Sequence, residues 1–317
     1  MEFGADTNDV VRLTLDDDTA VIHLFGATIL SWKTGSSQTE QLFLSKTAVF
    51  DNKKAIRGGV PFVFPNFGPW SLGPQHGFAR TTMWSLQNRE PQKAVFRLSE
   101  TQSSLEMWPF RFELLYTVEL SSGALKTRVE VRNSDEKSWD FTLLLHTYLR
   151  VVDIRKARIR GLDKVTFIDK VNEGRKSTQD GDVVIEGNTD RVYCNTGDVE
   201  VVDGSRKIRV EKQGLPDTGT NTSTVVPKTV LRLPLLMRKN ERKQRCVSSK
   251  LNCQTHHFNA QLHECKQFLQ QCCLQQTNGL QLSDRRTVLI IRKVILRVNK
   301  FVFLPLVPFD SVHTAVS

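Results

Sequence analysis

Tyrosine and methionine are scarce in this 317-residue chain, at three and four residues, and acidic residues almost vanish from its last hundred positions. The 18 glycines, 11 prolines and six scattered cysteines exclude collagen-like, coiled-coil and disulfide-scaffold classes. No uncharged apolar run reaches the ~18 residues that a membrane-spanning helix needs. Residues 288–309 come nearest, and Arg292, Lys293, Arg297 and Lys300 interrupt them. Residues 1–20 hold Glu2, Asp6, Asp9, Asp16, Asp17 and Asp18 and no apolar run, which fits neither a secretory signal nor an Arg-rich transit peptide. The expectation is a cytoplasmic protein with reduced thiols.

What is present is an ordinary globular composition, 39% hydrophobic and 25% charged, with a net charge of +10. The charge is not evenly spread. Residues 1–217 carry 29 Lys and Arg against 30 Asp and Glu, whereas residues 218–317 carry 15 against 4. All five Trp fall by Trp139 and all three Tyr by Tyr193, while five of the six Cys follow Asp217. The composition therefore breaks near residue 217, and two readings stay open there: two domains, or a tail that does not continue the first two hundred residues.

Short alternating or apolar runs separated by turns dominate residues 10–212. They fall at 10–15, 19–25, 94–98, 110–120, 125–131, 139–152, 183–186 and 208–212, with turn signals such as Ser121-Ser122-Gly123 between them. Many short strands without a sustained 3.6-residue period predict an all-β fold, an antiparallel sandwich or barrel. One long irregular stretch, 57–80, is rich in Gly, Pro and Phe, and long loops in regular β domains commonly carry function. After Asp217 the alternation is lost to the eye.

Two segments can carry chemistry. The first runs from Arg57-Gly58-Gly59-Val60-Pro61 to Gln75-His76-Gly77-Phe78-Ala79-Arg80 and gathers two Arg, a Gln and a His on one loop. Arg forks suit phosphate or carboxylate oxygens, and Phe62, Phe64, Phe67, Trp70 and Phe78 are expected to wall a sugar site. A surface loop with solvated arginines and a structural His fits the composition equally. The second segment is Leu143-Leu144-Leu145-His146-Thr147-Tyr148-Leu149-Arg150, where a strand puts His146 on one face with Leu144 and Tyr148. His146 reads either as a hydrogen-bonded core residue or as a general acid.

Arg57-Gly58-Gly59-Val60-Pro61, Gln75 to Arg80, Leu145-His146-Thr147-Tyr148 and Thr189-Asp190-Arg191-Val192-Tyr193 occur in one order and at characteristic separations. Together they resemble the hexose-6-phosphate mutarotases (glucose-6-phosphate 1-epimerases) of the aldose 1-epimerase superfamily, over residues 8–217. The resemblance implies a large antiparallel β-sandwich of the galactose-mutarotase type. It implies interconversion of the α and β anomers of glucose 6-phosphate by acid–base ring opening, with no cofactor and no metal. By the same resemblance His146 is the acid at the ring oxygen, with His76 nearby as a sugar-binding or auxiliary group. Arg57 and Arg80 would hold the 6-phosphate, and Gln75 and Asp190 would bind hydroxyls or orient the arginines. The expected partner is a small molecule, a hexose 6-phosphate, with no nucleic acid or membrane, bound by a monomer.

The sequence departs from that family after Leu215-Pro216-Asp217. The family's base, a Glu on a late strand of small residues, has no match: Glu241 and Glu264 are the downstream glutamates, and neither context fits. The last strands are therefore expected to be missing or replaced: residues 1–217 form a C-terminally incomplete sandwich, and residues 218–317 an atypical basic tail that is frame-shifted, intron-derived, alternatively spliced or disordered, with poor folding as the consequence. A zinc site on Cys246, Cys253, His256, His257, His263 and Cys265 lacks the close ligand pairs of known zinc spacings. The alternative function is a non-catalytic sugar-phosphate-binding or interaction protein on the same sandwich.

Overall fold

The computed structural model describes residues 7–222, 229–237, 245–246 and 288–299. Strict alternation in the sequence becomes strict alternation of burial: in Phe112–Ser121, residues Phe112, Leu114, Tyr116, Val118 and Leu120 point inward and their neighbours outward. This strand pairs antiparallel with Lys93–Ser99 on one side and Ala124–Asn133 on the other. They lie in a nine-stranded sheet that continues through Val288–Asn299, Arg206–Lys212, Val199–Asp203 and Arg158–Arg160.

A seven-stranded sheet faces it, in the order Arg175–Thr178, Thr166–Asp169, Thr189–Tyr193, Asp217–Thr222, Val230–Met237, Leu143–Arg150, Phe62–Val63. The two sheets share one core, and Phe62 of the second meets Tyr116 of the first with ring centroids 5.1 Å apart. A four-stranded sheet, residues 10–40, adds Leu13, Ile22, Ile29 and Trp32 to that core. The strand pairings are antiparallel throughout, and the one α-helix described is the single short Gln102–Met107. The expected antiparallel sandwich is the fold found.

The last strands, expected from the sequence to be missing or replaced, have their places filled by residues beyond the compositional break. Asp217–Thr222 runs straight across the compositional break, pairing with Thr189–Tyr193. Val230–Met237 pairs along its whole length with the His146 strand, and Val288–Asn299 sits between two strands inside the nine-stranded sheet. The reason is local. Leu231, Leu233 and Leu235 alternate with Arg232 and Pro234, so one face is fully buried. In the later strand Val294 and Leu296 enter the common core. The sheets are thus completed by strands whose basic surroundings mask their period in the sequence. Residues 1–6, Glu241, Glu264, Cys253, His256, His257, His263 and Cys265 lie outside the described residues.

Candidate active site

Alternation on the seven-stranded sheet decides what faces solvent. Leu143, Leu145 and Leu149 enter the core, which turns Leu144, His146 and Tyr148 to the outer face. Register then aligns neighbours in rows. Tyr148 lies opposite Arg232, Arg232 opposite Asn221, and Asn221 opposite Asp190. One step along, His146 lies opposite Pro234; one step further, Leu144 lies between Leu236 and Val63. A polar row, an imidazole row and an apolar row form the floor of a cleft of about 580 Å³.

The 57–80 loop forms the rim. Gly59 O accepts the Tyr148 N–H at 2.9 Å and Pro61 O accepts the His146 N–H at 3.0 Å, which ties the loop to the His146 strand. Glycine is required here: Gly59 has φ +64°, and a Cβ on it would lie 2.0 Å from Ile29 O. Gly59→Ala is therefore expected to destabilise the fold by at least about 2 kcal/mol, read as a lowered urea midpoint with unchanged slope. Gly77 is similar, since its Cβ would meet Phe64 O at 2.2 Å. The turn it makes presents His76, whose ring stacks on Phe67 with centroids 5.4 Å apart. The Gly68 N–H donates to His76 Nδ1 at 3.1 Å, so in the neutral ring the proton sits on Nε2. Arg80 Nη2 donates to Gln75 O at 2.8 Å, while Arg80 Nε is buried without a partner.

All six residues singled out in the sequence, Arg57, Gln75, His76, Arg80, His146 and Asp190, line this one cleft. The expected aromatic walls do not form as a group. Phe62, Phe64 and Phe78 are buried in the core, where the sandwich gains more from their burial than a cleft would. Trp70 packs against that core, and Phe67 alone of the five lines the cleft. Sequence reasoning gave no role to Tyr148, Lys170, Arg191, Asn221 or Arg232, which line it too. Tyr148 and Arg191 were inside the recognised motifs. Lys170 and Arg232 carried no signal, because only register brings them to the cleft.

The cleft is strongly cationic. Arg57, Arg80, Lys170, Arg191 and Arg232 line it, and Asp190 is the single carboxylate among its described lining residues. Arg191 Nε pairs with Asp169 at 3.3 Å and its guanidinium lies over the Phe167 ring, 4.6 Å from the centroid. Lys170 Nζ lies 4.2 Å from the centroid of Phe67. Burial, then Arg232, His76 and Arg80, pushes the His146 imidazole down to about 3. Burial, then Arg80 and Lys170, lowers His76 to about 4. Burial also lowers Arg80. Both imidazoles are therefore neutral in the empty cleft at pH 7.

The consequence for stability has a definite sign. Below pH 6.5 the unfolded chain protonates these histidines while the folded cleft resists, so the unfolded state binds more protons. Their contribution is complete above about pH 6.5 and is lost as pH falls towards 4 and 3. Thermal midpoints are expected to fall from pH 7 to pH 5, with a shallower fall in a His76→Gln, His146→Gln double variant. A slope unchanged by the double variant would contradict this origin. Among the described residues, no group of three or more His, Cys, Asp or Glu is arranged to hold a metal ion.

Comparison with known proteins places this geometry. The aldose 1-epimerase family model matches residues 9–222. A Cenchrus ciliaris protein named "Putative glucose-6-phosphate 1-epimerase" is 36% identical over 214 residues, 62% of this chain and 65% of that protein. An Escherichia coli K12 protein of the same name is 35% identical over 194 residues, 59% of this chain and 64% of its own length. The matched region thus spans somewhat less than two thirds of these relatives. In three dimensions the likeness extends further. A Salmonella typhimurium protein named "a putative mutarotase (YeaD)" superposes with a TM-score of 0.68 at 24% identity, covering 93% of this chain and 95% of that one. The Slr1438 protein of Synechocystis gives 0.72 at 18% identity, covering 95% and 99%; at such identities these two comparisons speak for the fold. From the sandwich, the cleft on its outer face and the match over most of the strands that build it, the chain belongs to the aldose 1-epimerase family.

Proposed function

We propose that the protein interconverts the α and β anomers of glucose 6-phosphate and related hexose 6-phosphates. One observation supports this above the rest: Arg57, Arg80, Gln75, both histidines and Asp190, separated by up to 133 positions, line the same cleft. Mutarotation needs only proton transfers. The C1 hydroxyl loses a proton, the ring oxygen gains one and the C1–O5 bond opens. Rotation about C1–C2 and reclosure in reverse give the other anomer. In this reading Arg57 and Arg80 clamp the 6-phosphate, and Gln75, His76 and Asp190 hold hydroxyls. His146 stands at the ring oxygen. Its low proton affinity comes partly from cationic neighbours, so a bound phosphate dianion offsets those charges and raises it towards the range a general acid needs.

A second reading is favoured by a specific feature: apart from Asp190, the described cleft offers no carboxylate to take the C1 proton. On that reading the protein binds sugar phosphates without turning them over. Polarimetry on freshly dissolved α-glucose 6-phosphate separates the two. Decay of rotation faster than in buffer supports the mutarotase; binding by calorimetry with no acceleration supports the binder. Arg57→Ala is expected to weaken hexose 6-phosphates about tenfold or more while leaving any affinity for the free hexose unchanged, as loss of a charge-assisted fork requires. Equal affinity in the variant and the parent would refute the phosphate assignment.

A further inference from the structure

Arg232 is held as a ligand-binding group is held. It sits opposite Tyr148 on the strand beside His146, its guanidinium carbon 5.3 Å from the Tyr148 ring centroid. Nη1 donates to Asn221 Oδ1 at 2.9 Å, which fixes the guanidinium plane. Nε is buried and has no partner. A guanidinium pinned by an amide at one nitrogen and by a ring on its face offers its Nε side, the edge of the fork that pairs two-pronged with a planar carboxylate. His146 Nδ1 and Arg80 Nε, in the same cleft, are likewise buried and unpartnered. Buried polar atoms without partners destabilise a fold, so three in one cleft, two of them guanidinium donors, point to a ligand that satisfies them.

The charge of the cleft says what that ligand carries. Five cationic side chains line it, and the carboxylates set against them are Asp190, which also lines it, and Asp169, which pairs with Arg191. The net surplus of these seven groups is three positive charges. A phosphate dianion matches two, and a hexose 6-phosphate has nothing for the third. Arg232 is also the charged neighbour with the largest effect on His146, and in the proposed function His146 stands at the ring oxygen, next to C1.

We propose that the cleft takes a phosphorylated aldonate, a sugar acid with a phosphate at C6, and that Arg232 holds its C1 carboxylate. The inference rests on the reading of Arg57 and Arg80 as the phosphate clamp. The carboxylate supplies the third negative charge, accepts from Arg232 Nε and lies beside His146 Nδ1. Such a ligand has no hemiacetal to open, so in an active mutarotase it occupies the site without turning over and blocks the sugar.

The test is calorimetric titration of the full chain with 6-phosphogluconate, glucose 6-phosphate and glucitol 6-phosphate. The last is an open chain with an uncharged C1. We expect 6-phosphogluconate to bind at least about tenfold tighter than either neutral-C1 ligand. Arg232→Gln removes that preference while changing the affinity for glucose 6-phosphate by less than about threefold, and Arg57→Ala weakens all three. Equal binding of 6-phosphogluconate and glucitol 6-phosphate by the parent overturns the proposal, and this comparison needs no variant to fold. Equal losses for all three ligands in Arg232→Gln also overturn it, making Arg232 part of the phosphate clamp. If glucose 6-phosphate binds without any preference for the acid, only this inference fails. If none of the three binds to a folded protein, the proposed function fails with it.

Discussion

Ending the chain at Thr222 is expected to abolish the cooperative thermal transition of the full-length protein. Such a truncation removes Val230–Met237 and Val288–Asn299, which are interior strands, each with a neighbour on both sides. Leu231, Leu233 and Leu235 would leave the core together with Val294 and Leu296. Burial of a large aliphatic side chain stabilises by roughly 1.5–3 kcal/mol, so the five together contribute on the order of 10 kcal/mol. A domain's whole net stability is about 5–15 kcal/mol. The loss also opens both flanks of the gap in each sheet, leaving unpaired those backbone donors and acceptors of Leu143–Arg150 and Ala124–Asn133 that faced the removed strands. Calorimetry and near-ultraviolet circular dichroism of the two chains provide the check. A truncated protein that melts as sharply and as high as the parent would mean that these strands add nothing. Residues 218–317 are also proposed, from the departure from the family's pattern at the compositional break, to be frame-shifted, intron-derived, alternatively spliced or disordered. The native transcript read across the codons for Asp217 and Thr218 tests that origin independently of what the strands do in the fold.

Replacing His146 by Ala is expected to reduce mutarotation of glucose 6-phosphate by about 10²–10⁴-fold, the usual contribution of a positioned acid or base. The side chain is well placed for the test. Its backbone N–H is tied to Pro61 O and its ring stacks on Tyr148 with centroids 4.7 Å apart, so the imidazole is fixed by groups that the substitution leaves in place. Affinity for glucose 6-phosphate should change only a few-fold, because the phosphate clamp lies on the rim. A fall in rate with binding retained marks proton transfer at His146. An unchanged rate would remove it from the chemistry, and a proportionate loss of binding and rate would make it a sugar contact. His146→Gln adds a control of similar size that cannot exchange a proton near neutral pH.

The legible parts of the sequence were those in which one segment alone holds the signal. The strand 10–15 is found as read, and 93–99, 112–121, 124–133 and 206–212 differ from the reading by a few terminal residues. In each, apolar and polar residues alternate strictly enough to declare a buried face. The run 139–152 is two strands, Trp139–Asp140 and Leu143–Arg150, because the chain changes sheets between them. Val230–Met237 escaped notice although its leucines alternate, since Arg232, Pro234 and the following basic residues read as loop. The segments around Arg57, Gln75 and His146 could be picked out from their residue types, and that around Asp190 through the family resemblance. Arg232 and Lys170 could not, since nothing in their own segments differs from a solvated cation.

By itself the sequence determined the β class, the strands with a clean period of two, the Gly-rich 57–80 stretch, and the residue types at hand for phosphate and proton chemistry. The tertiary structure alone decided which of those residues meet. The row from Asp190 through Asn221 and Arg232 to Tyr148 exists because four strands from three parts of the chain pair in one register. A slip of a single residue would turn Arg232 into the core and a leucine into the cleft. The same pairing set the burial of His146, the main reason it stays neutral, and the cleft's charge, since the cations that add to that effect come from other segments. Local pattern specifies which face a side chain takes; only long-range pairing specifies its neighbours, and the chemistry belongs to the neighbours.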